Sequence, residues 1–245
     1  MKSPGHWLPV PQYGPGGIMR KNLLLQCVAT TLVAFGLIGC GEEPVEVAPT
    51  PSFPTGTGQH QRGSAAVQYA PGPYGMGTNS IIPNLDFAGF PNAMADTEGL
   101  KVIQLADFYN PTGTDVFPEG SPYGAGEPKP KALLLVVSSV WCGPCNEEAD
   151  LILPGKYAKY QPIGGEFLTL LADGPNQGVP AEPKNLYLWD KKYQVNYPSA
   201  IDPGTKVLVD GYPTNFIIRT KDMRIIRIGS PDAAFWAKYE DVLAQ

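Results

Sequence analysis

Apolar residues first gather between Leu23 and Ile38 (LLLQCVATTLVAFGLI), directly after the basic start Arg20-Lys21-Asn22. The run has the length of a signal-peptide core and is short for a span of the hydrocarbon layer, with Gln26, Thr30 and Thr31 weakening it further. Residues 41–80 carry no apolar periodicity; their Pro, Gly, Thr, Ser and Gln content predicts a tether too polar to offset the entropy of ordering. A folded pattern sets in near Ile81. Lys101–Leu105 alternates as a strand does, and Lys131–Val140 is apolar on both pleat faces, as in a central strand covered on both sides. Helix is predicted from about Gly143, kinked or ended by Pro154-Gly155, and then a buried strand over Glu166–Asp173. Asn185–Gln194 reads as helix. Thr214–Thr220 and Met223–Gly229 read as strands joined at Lys221-Asp222. A closing helix over 231–244 would take Ser230 as N-cap and Pro231 at its first position. The order β-α-β-α-β-β-α predicts an α/β domain over 81–245 with a parallel core and an antiparallel edge. Residues 110–130, rich in Pro and Gly, are long for a connection and read as an insertion.

Charge and composition narrow the picture. The net charge is −5, and residues 1–39 hold Lys2, Arg20 and Lys21 with no acid, so the remainder carries 15 basic against 23 acidic residues, or −8. With no Lys/Arg-rich run, that surface offers no footprint for nucleic acid. The segment Leu37-Ile38-Gly39-Cys40 resembles a bacterial lipoprotein cleavage box. The resemblance implies removal of residues 1–39, with Met19 a plausible true start, a diacylglycerol on Cys40, and a domain held at the membrane on the periplasmic or extracellular side. A single transmembrane helix is the competing reading of the same run.

The chemistry is carried by Trp141-Cys142-Gly143-Pro144-Cys145, placed where the buried strand turns into a helix. Unpaired N–H groups and partial positive charge at a helix start favour thiolate over thiol, and the thiolate is the attacking species. Cys142, expected at an exposed mouth, would attack, and Cys145, one turn further in, would resolve. Pro144 lacks an N–H at little cost in a first turn. Cys27 falls in the signal and Cys40 at the acylation site, so the mature domain keeps one pair three residues apart. So small a loop adds little chain-entropy stability, which argues for chemistry over a structural staple. Zinc would need two further ligands, and the mature chain offers one histidine, His60; no metal is expected. An inert buried pair is the other alternative.

An apolar strand followed by WCGPC resembles the thioredoxin superfamily, and Gly211-Tyr212-Pro213-Thr214 matches the place where that superfamily sets a cis-proline before a strand. The resemblance implies a central mixed sheet flanked by helices, with an N-terminal strand extension. It also implies that Tyr212 presents backbone groups to the substrate. An ordinary turn at Tyr212-Pro213 is the plainer alternative. The layout of anchor, tether, strand pair, WCxxC and proline loop is closest to the membrane-anchored TlpA/ResA-like branch. Glu148 matches an acid that branch often carries, held to tune the cysteine pKa; a solvated acid favouring the first helical turn accounts for it equally well. The chain departs from thioredoxin in having Val136 where a buried aspartate is expected and Asp150 where a helix proline is expected.

These readings lead to a protein-disulfide oxidoreductase, in the reducing direction because Gly-Pro separates the cysteines. It would act on disulfides of exported proteins, for example in cytochrome c maturation, with no cofactor beyond the cysteine pair and with an electron-donating membrane partner. The rivals are fewer in features. A peroxiredoxin needs Pro-x-x-x-Thr-x-x-Cys, where this chain has Leu135 and Ser139; a copper chaperone needs a distal histidine; an interaction module would not need WCGPC intact.

Overall fold

The structure, a computed structural model, describes residues 68–93 and 99–245. The apolar run at Leu23–Ile38, Cys27, Cys40, His60 and the tether as far as residue 67 lie outside the described residues. Among the described residues no helix is long and apolar enough to cross a membrane.

Seven strands form one mixed sheet in the order β2-β1-β5-β4-β3-β6-β7. They are β1 (Asp86–Phe90), β2 (Lys101–Gln104), β3 (Ala132–Ser139), β4 (Gly165–Asp173), β5 (Ser199–Ile201), β6 (Thr214–Arg219) and β7 (Arg224–Gly229). β3, β4 and β5 are parallel, and antiparallel pairs extend the sheet on both sides: β1 and β2 beyond β5, β6 and β7 beyond β3. Every residue of β3 is buried, as its unbroken apolar run requires of a strand covered on both faces.

The helices are α1 (Gly143–Glu147), α2 (Leu153–Tyr160), α3 (Pro183–Tyr193) and α4 (Ala233–Leu243). Their buried side chains join one core, on the sheet face of Leu134, Val136, Phe167 and Ile217. The opposite face, with Leu133, Leu135, Leu168 and Ile218, is covered by irregular chain: Ala70, Ile82, the 3-10 turn Leu105–Phe108, Phe117 and Val207. The packed region therefore begins before Ile81. Ala70 is buried, and the Tyr69 hydroxyl donates to the Ile82 carbonyl at 2.8 Å. Residues 110–130 are folded onto this second face. Asn110, fully buried, donates to the carbonyls of Lys129 and Pro130, both at 3.1 Å, and so closes the loop at its base.

Four local expectations change. Pro154 does not end the helix: α1 passes through a π turn, Glu148–Ile152, and continues as α2 with Pro154 in its first turn. A proline ring clashes with the carbonyl four residues back and supplies no N–H, and widening the preceding turn accommodates both. The cap of α4 is Asp232, whose carboxylate accepts from the Phe235 N–H at 2.6 Å; Ser230 and Pro231 precede it. The β6–β7 connection spans Thr220–Met223, with Met223 at φ +51° and its side chain buried. A strand absent from the sequence pattern, β5, stands between α3 and β6.

Candidate active site around Cys142 and Cys145

β3 emerges from the sheet at Val140, and Cys142 caps α1. Cys142 and Cys145 are joined as a disulfide with Cα atoms 5.3 Å apart. The Cys145 N–H points at Cys142 Sγ at 3.2 Å, and the Asn146 N–H donates to the Cys142 carbonyl at 3.1 Å. A sulfur in a cap position thus receives one of the helix's unpaired donors. Pro144 sits where no N–H is needed, and Gly143 faces open space. The mouth is narrower than expected: Cys142 is 3% exposed and Cys145 1%.

Register explains how the proline loop reaches this place. β6 runs antiparallel to β3 with Thr214 opposite Val137, so the residues before Thr214 continue beside the end of β3. The Tyr212–Pro213 bond is cis. The Tyr212 ring meets Trp141 edge-on, centroids 6.1 Å apart and planes at 75°. The Trp141 indole N–H donates to Asp173 Oδ2 at 3.0 Å, and the same oxygen accepts from the Gly178 N–H at 3.0 Å. Asp173, at the C-terminal end of β4, therefore ties Trp141 to the loop that follows the strand. Burial first, then Asp173 and Asp202, hold the Tyr212 hydroxyl above its ordinary pKa.

Glu148 is 2% exposed, which removes the reading of a solvated acid. Its Oε1 accepts from Asn215 Nδ2 at 3.0 Å, while Oε2 has no partner among the described residues. Burial lifts its pKa from 4.5 to about 7, and the Asn215 hydrogen bond opposes part of that rise. Val136, where a buried aspartate was expected from thioredoxin, pairs across the sheet with Asn215. The polar group on this level of the core is thus an amide on the neighbouring strand, holding an acid from the π turn. The arrangement brings together a disulfide at a helix start, a cis-proline loop beside it, and a buried acid one turn behind Cys145 whose pKa burial lifts to about 7.

The structure adds residues the sequence reading did not single out. Asn146 donates through Nδ2 to the carbonyls of Cys142 (2.6 Å) and Val140 (3.1 Å), and its Oδ1 accepts from the Tyr193 hydroxyl and from Lys192 at 3.4 Å. It braces the cysteine turn against α3. Asn215 and Asp173 had a signal, each a polar residue in or ending an apolar strand; Asn146 had none. Cys40 lies outside the described residues. A cleft of about 760 Å³, lined by Asn110, Lys131 and Arg219 among others, lies at the other end of β3 from the cysteines.

No family model matches the chain. A thiol-disulfide oxidoreductase ResA of Bacillus cereus is 31% identical over 144 residues, which span 57% of this chain and 76% of the relative. Among solved structures, a thiol:disulfide interchange protein, DsbE, from Chlorobium tepidum aligns with TM-score 0.49 at 17% identity, over 69% of this chain and 99% of that one. The thioredoxin domain of a thiol-disulfide oxidoreductase from Bacteroides vulgatus aligns with TM-score 0.48 at 13% identity, over 69% and 99%. At TM-scores below 0.5 neither bears on substrate or partner. The seven-stranded mixed sheet, the cysteine pair at the head of its helix and the relation to ResA agree, and the chain belongs to the ResA-type family of thiol-disulfide oxidoreductases.

Proposed function

We infer that this enzyme reduces disulfides of exported proteins, with Cys142 attacking and Cys145 resolving. The observation that carries this reading is the closed Cys142–Cys145 pair at the start of α1 with the buried Glu148 one turn behind it. An electron-donating dithiol partner at the membrane first opens the pair, giving up two electrons and becoming a disulfide. The Cys142 thiolate then attacks a client disulfide, forms one mixed S–S bond and releases a client thiolate, which takes a proton from solvent. Cys145 passes its proton to Glu148 and attacks Cys142 Sγ; the Cys142–client S–S bond breaks, and the second client sulfur leaves as a thiolate that takes up the proton Glu148 gives back. The client ends as a dithiol and the pair as a disulfide, so no other electron carrier enters. Trp141 and Tyr212 frame the place of attack, and the backbone at Tyr212-Pro213 is offered to the client strand. Gly143-Pro144 between the cysteines supports the reducing direction, and the relation to a thiol-disulfide oxidoreductase supports the exchange itself; cytochrome c in maturation is one client class of this proposal. The basic start, the apolar run and Leu37-Ile38-Gly39-Cys40 support export, lipidation at Cys40 and a place at the cell envelope.

The test is a trap. Cys145→Ser should hold clients on Cys142 as mixed disulfides, identifiable by mass spectrometry, and Cys142→Ser should hold none. Equal trapping by both variants overturns the assignment of attacker and resolver. A measured potential near that of strong periplasmic oxidants overturns the direction.

A further inference from the structure

Opening the Cys142–Cys145 bond removes the covalent tie on the cysteine turn, and its backbone then regains freedom unless other contacts hold it. The turn Val140–Cys142 leaves β3 and caps α1. One side chain reaches both of its ends. Asn146 Nδ2 donates to the Val140 carbonyl at 3.1 Å and to the Cys142 carbonyl at 2.6 Å. The Asn146 backbone N–H donates to the same Cys142 carbonyl at 3.1 Å. At the outer end, Oδ1 accepts from the Tyr193 hydroxyl and from Lys192 Nζ, the latter at 3.4 Å. An asparagine amide has two donors and two acceptor positions, and here all four are used. Two carbonyls on one side and two donors on the other leave the amide a single orientation. Aspartate would set oxygens against the two carbonyls, and lysine would offer Tyr193 no acceptor.

The support behind the amide is packed into the core. Tyr193, the last residue of α3, is 7% exposed, and its ring meets Trp189 edge-on with centroids 4.7 Å apart. Lys192 is exposed, so water and salt screen its charge and the Tyr193 hydroxyl is the stronger partner. Donors on Oδ1 polarise the amide and strengthen what Nδ2 donates. We propose that Asn146 is a positioning residue for the exchange: anchored on Tyr193, it holds the Cys142 carbonyl when the disulfide opens, so that Cys142 remains the cap of α1 with the Cys145 N–H aimed at its sulfur. This rests on the reading of Cys142 as the attacker. In the closed pair that N–H lies 3.2 Å from Cys142 Sγ. A hydrogen bond to the charged form of a group favours that form, so the same contact in the open pair keeps Cys142 as the attacking thiolate. A brace that only stabilised the fold would favour the open and closed pairs equally and leave the thiolate unmoved.

The experiment is the pH profile of iodoacetamide alkylation of the reduced full-length chain, read at each cysteine by peptide mass, together with the potential of the pair against glutathione. Asn146→Ala should raise the Cys142 midpoint by about one pH unit, a tenfold loss of thiolate below the midpoint. The potential should fall by up to about 30 mV, which is that factor for a two-electron couple, because the open pair is the form destabilised. Tyr193→Phe keeps the ring on Trp189 and should raise the midpoint by about half a unit, since the amide loses its anchor. Added to Asn146→Ala, it should move the midpoint no further, because the hydroxyl acts only through the amide. Besides Cys145, the titratable groups near the turn are Glu147, Glu148, Asp173, Lys192, Tyr193 and Tyr212. Asn146→Ala removes none of them, so its shift reports the amide. A Cys142 midpoint that stays within about 0.2 of a unit in Asn146→Ala overturns the proposal, as does a Tyr193→Phe shift that persists in the double variant. Where Asn146→Ala does not fold, Tyr193→Phe decides by the same limit. If Cys145 is alkylated before Cys142 in the unsubstituted protein, the reading of the attacker fails instead. If Cys142 is first and neither variant moves its profile, that reading stands and the role of Asn146 is wrong.

Discussion

Burial sets the behaviour of single residues here more than their order in the chain does. Cys142 and Cys145 were legible because three residues and a helix start suffice to place two sulfurs together. Glu148 was visible as a candidate, but its environment was not, since nothing local says that a π turn aims it into the core against Asn215. That burial has a thermodynamic consequence. The folded-state pKa of Glu148, about 7, lies above its ordinary value of 4.5. Its contribution to stability is therefore fully present below about pH 4 and is lost as pH rises through about 7. A rise of this size costs the folded state about 3 kcal/mol once the acid ionises, as an upper figure. Glu148→Gln should flatten the stability profile of the oxidised protein between about pH 4 and about pH 8 by up to that amount, as measured by denaturant unfolding. Parallel profiles for the two proteins would contradict the buried, protonated state of this acid.

At the scale of elements, glycines show how the same residue type serves opposite ends. Gly89 in β1 lies so close to β5 that a Cβ there would stand 2.1 Å from the Ser199 carbonyl oxygen. Gly155 in α2 has open space around it and no positive φ. Gly89→Ala should cost about 1–3 kcal/mol by forcing β1 from β5. Gly155→Ala should add about 0.5–1 kcal/mol, because glycine in a helix carries an entropic penalty. Thermal unfolding of the two variants checks both signs, and a stabilised Gly89→Ala would refute the close approach. β5 itself escaped the sequence reading for a related reason: three residues, Ser199–Ile201, are too few to show a period, and their strand state comes from partners on either side. The long strands β3 and β4 were legible because their length and apolar content exceed what a loop tolerates. The cap of α4 moved to Asp232 because Ser230 and Asp232 are both competent caps, and only the path of the chain chooses between them.

For the molecule as a whole, the helices gather on one face of the sheet and irregular chain covers the other. Residues 110–130 read as an insertion, and in the fold they help to seal that second face through Phe117. The proposed lipid anchor before the domain is tested at this scale. If Cys40 is acylated, protein extracted from membranes should begin at Cys40 and carry a diacylglycerol mass, and Cys40→Ser should appear in the soluble fraction. An unmodified Cys40 in the native protein would remove lipidation from the account.

The sequence by itself determined the reacting pair, the strand that delivers it, the proline loop and the alternation of elements, because each of these is written in contiguous residues whose spacing carries the physics. Tertiary structure alone decided which polar side chains are buried and what they meet. The brace from Asn146 to Tyr193, the tie from Trp141 to Asp173, and the hydrogen bond from Asn215 to Glu148 each join residues distant along the chain. Their properties arise from desolvation and cross-strand register, and both exist only once the sheet is assembled.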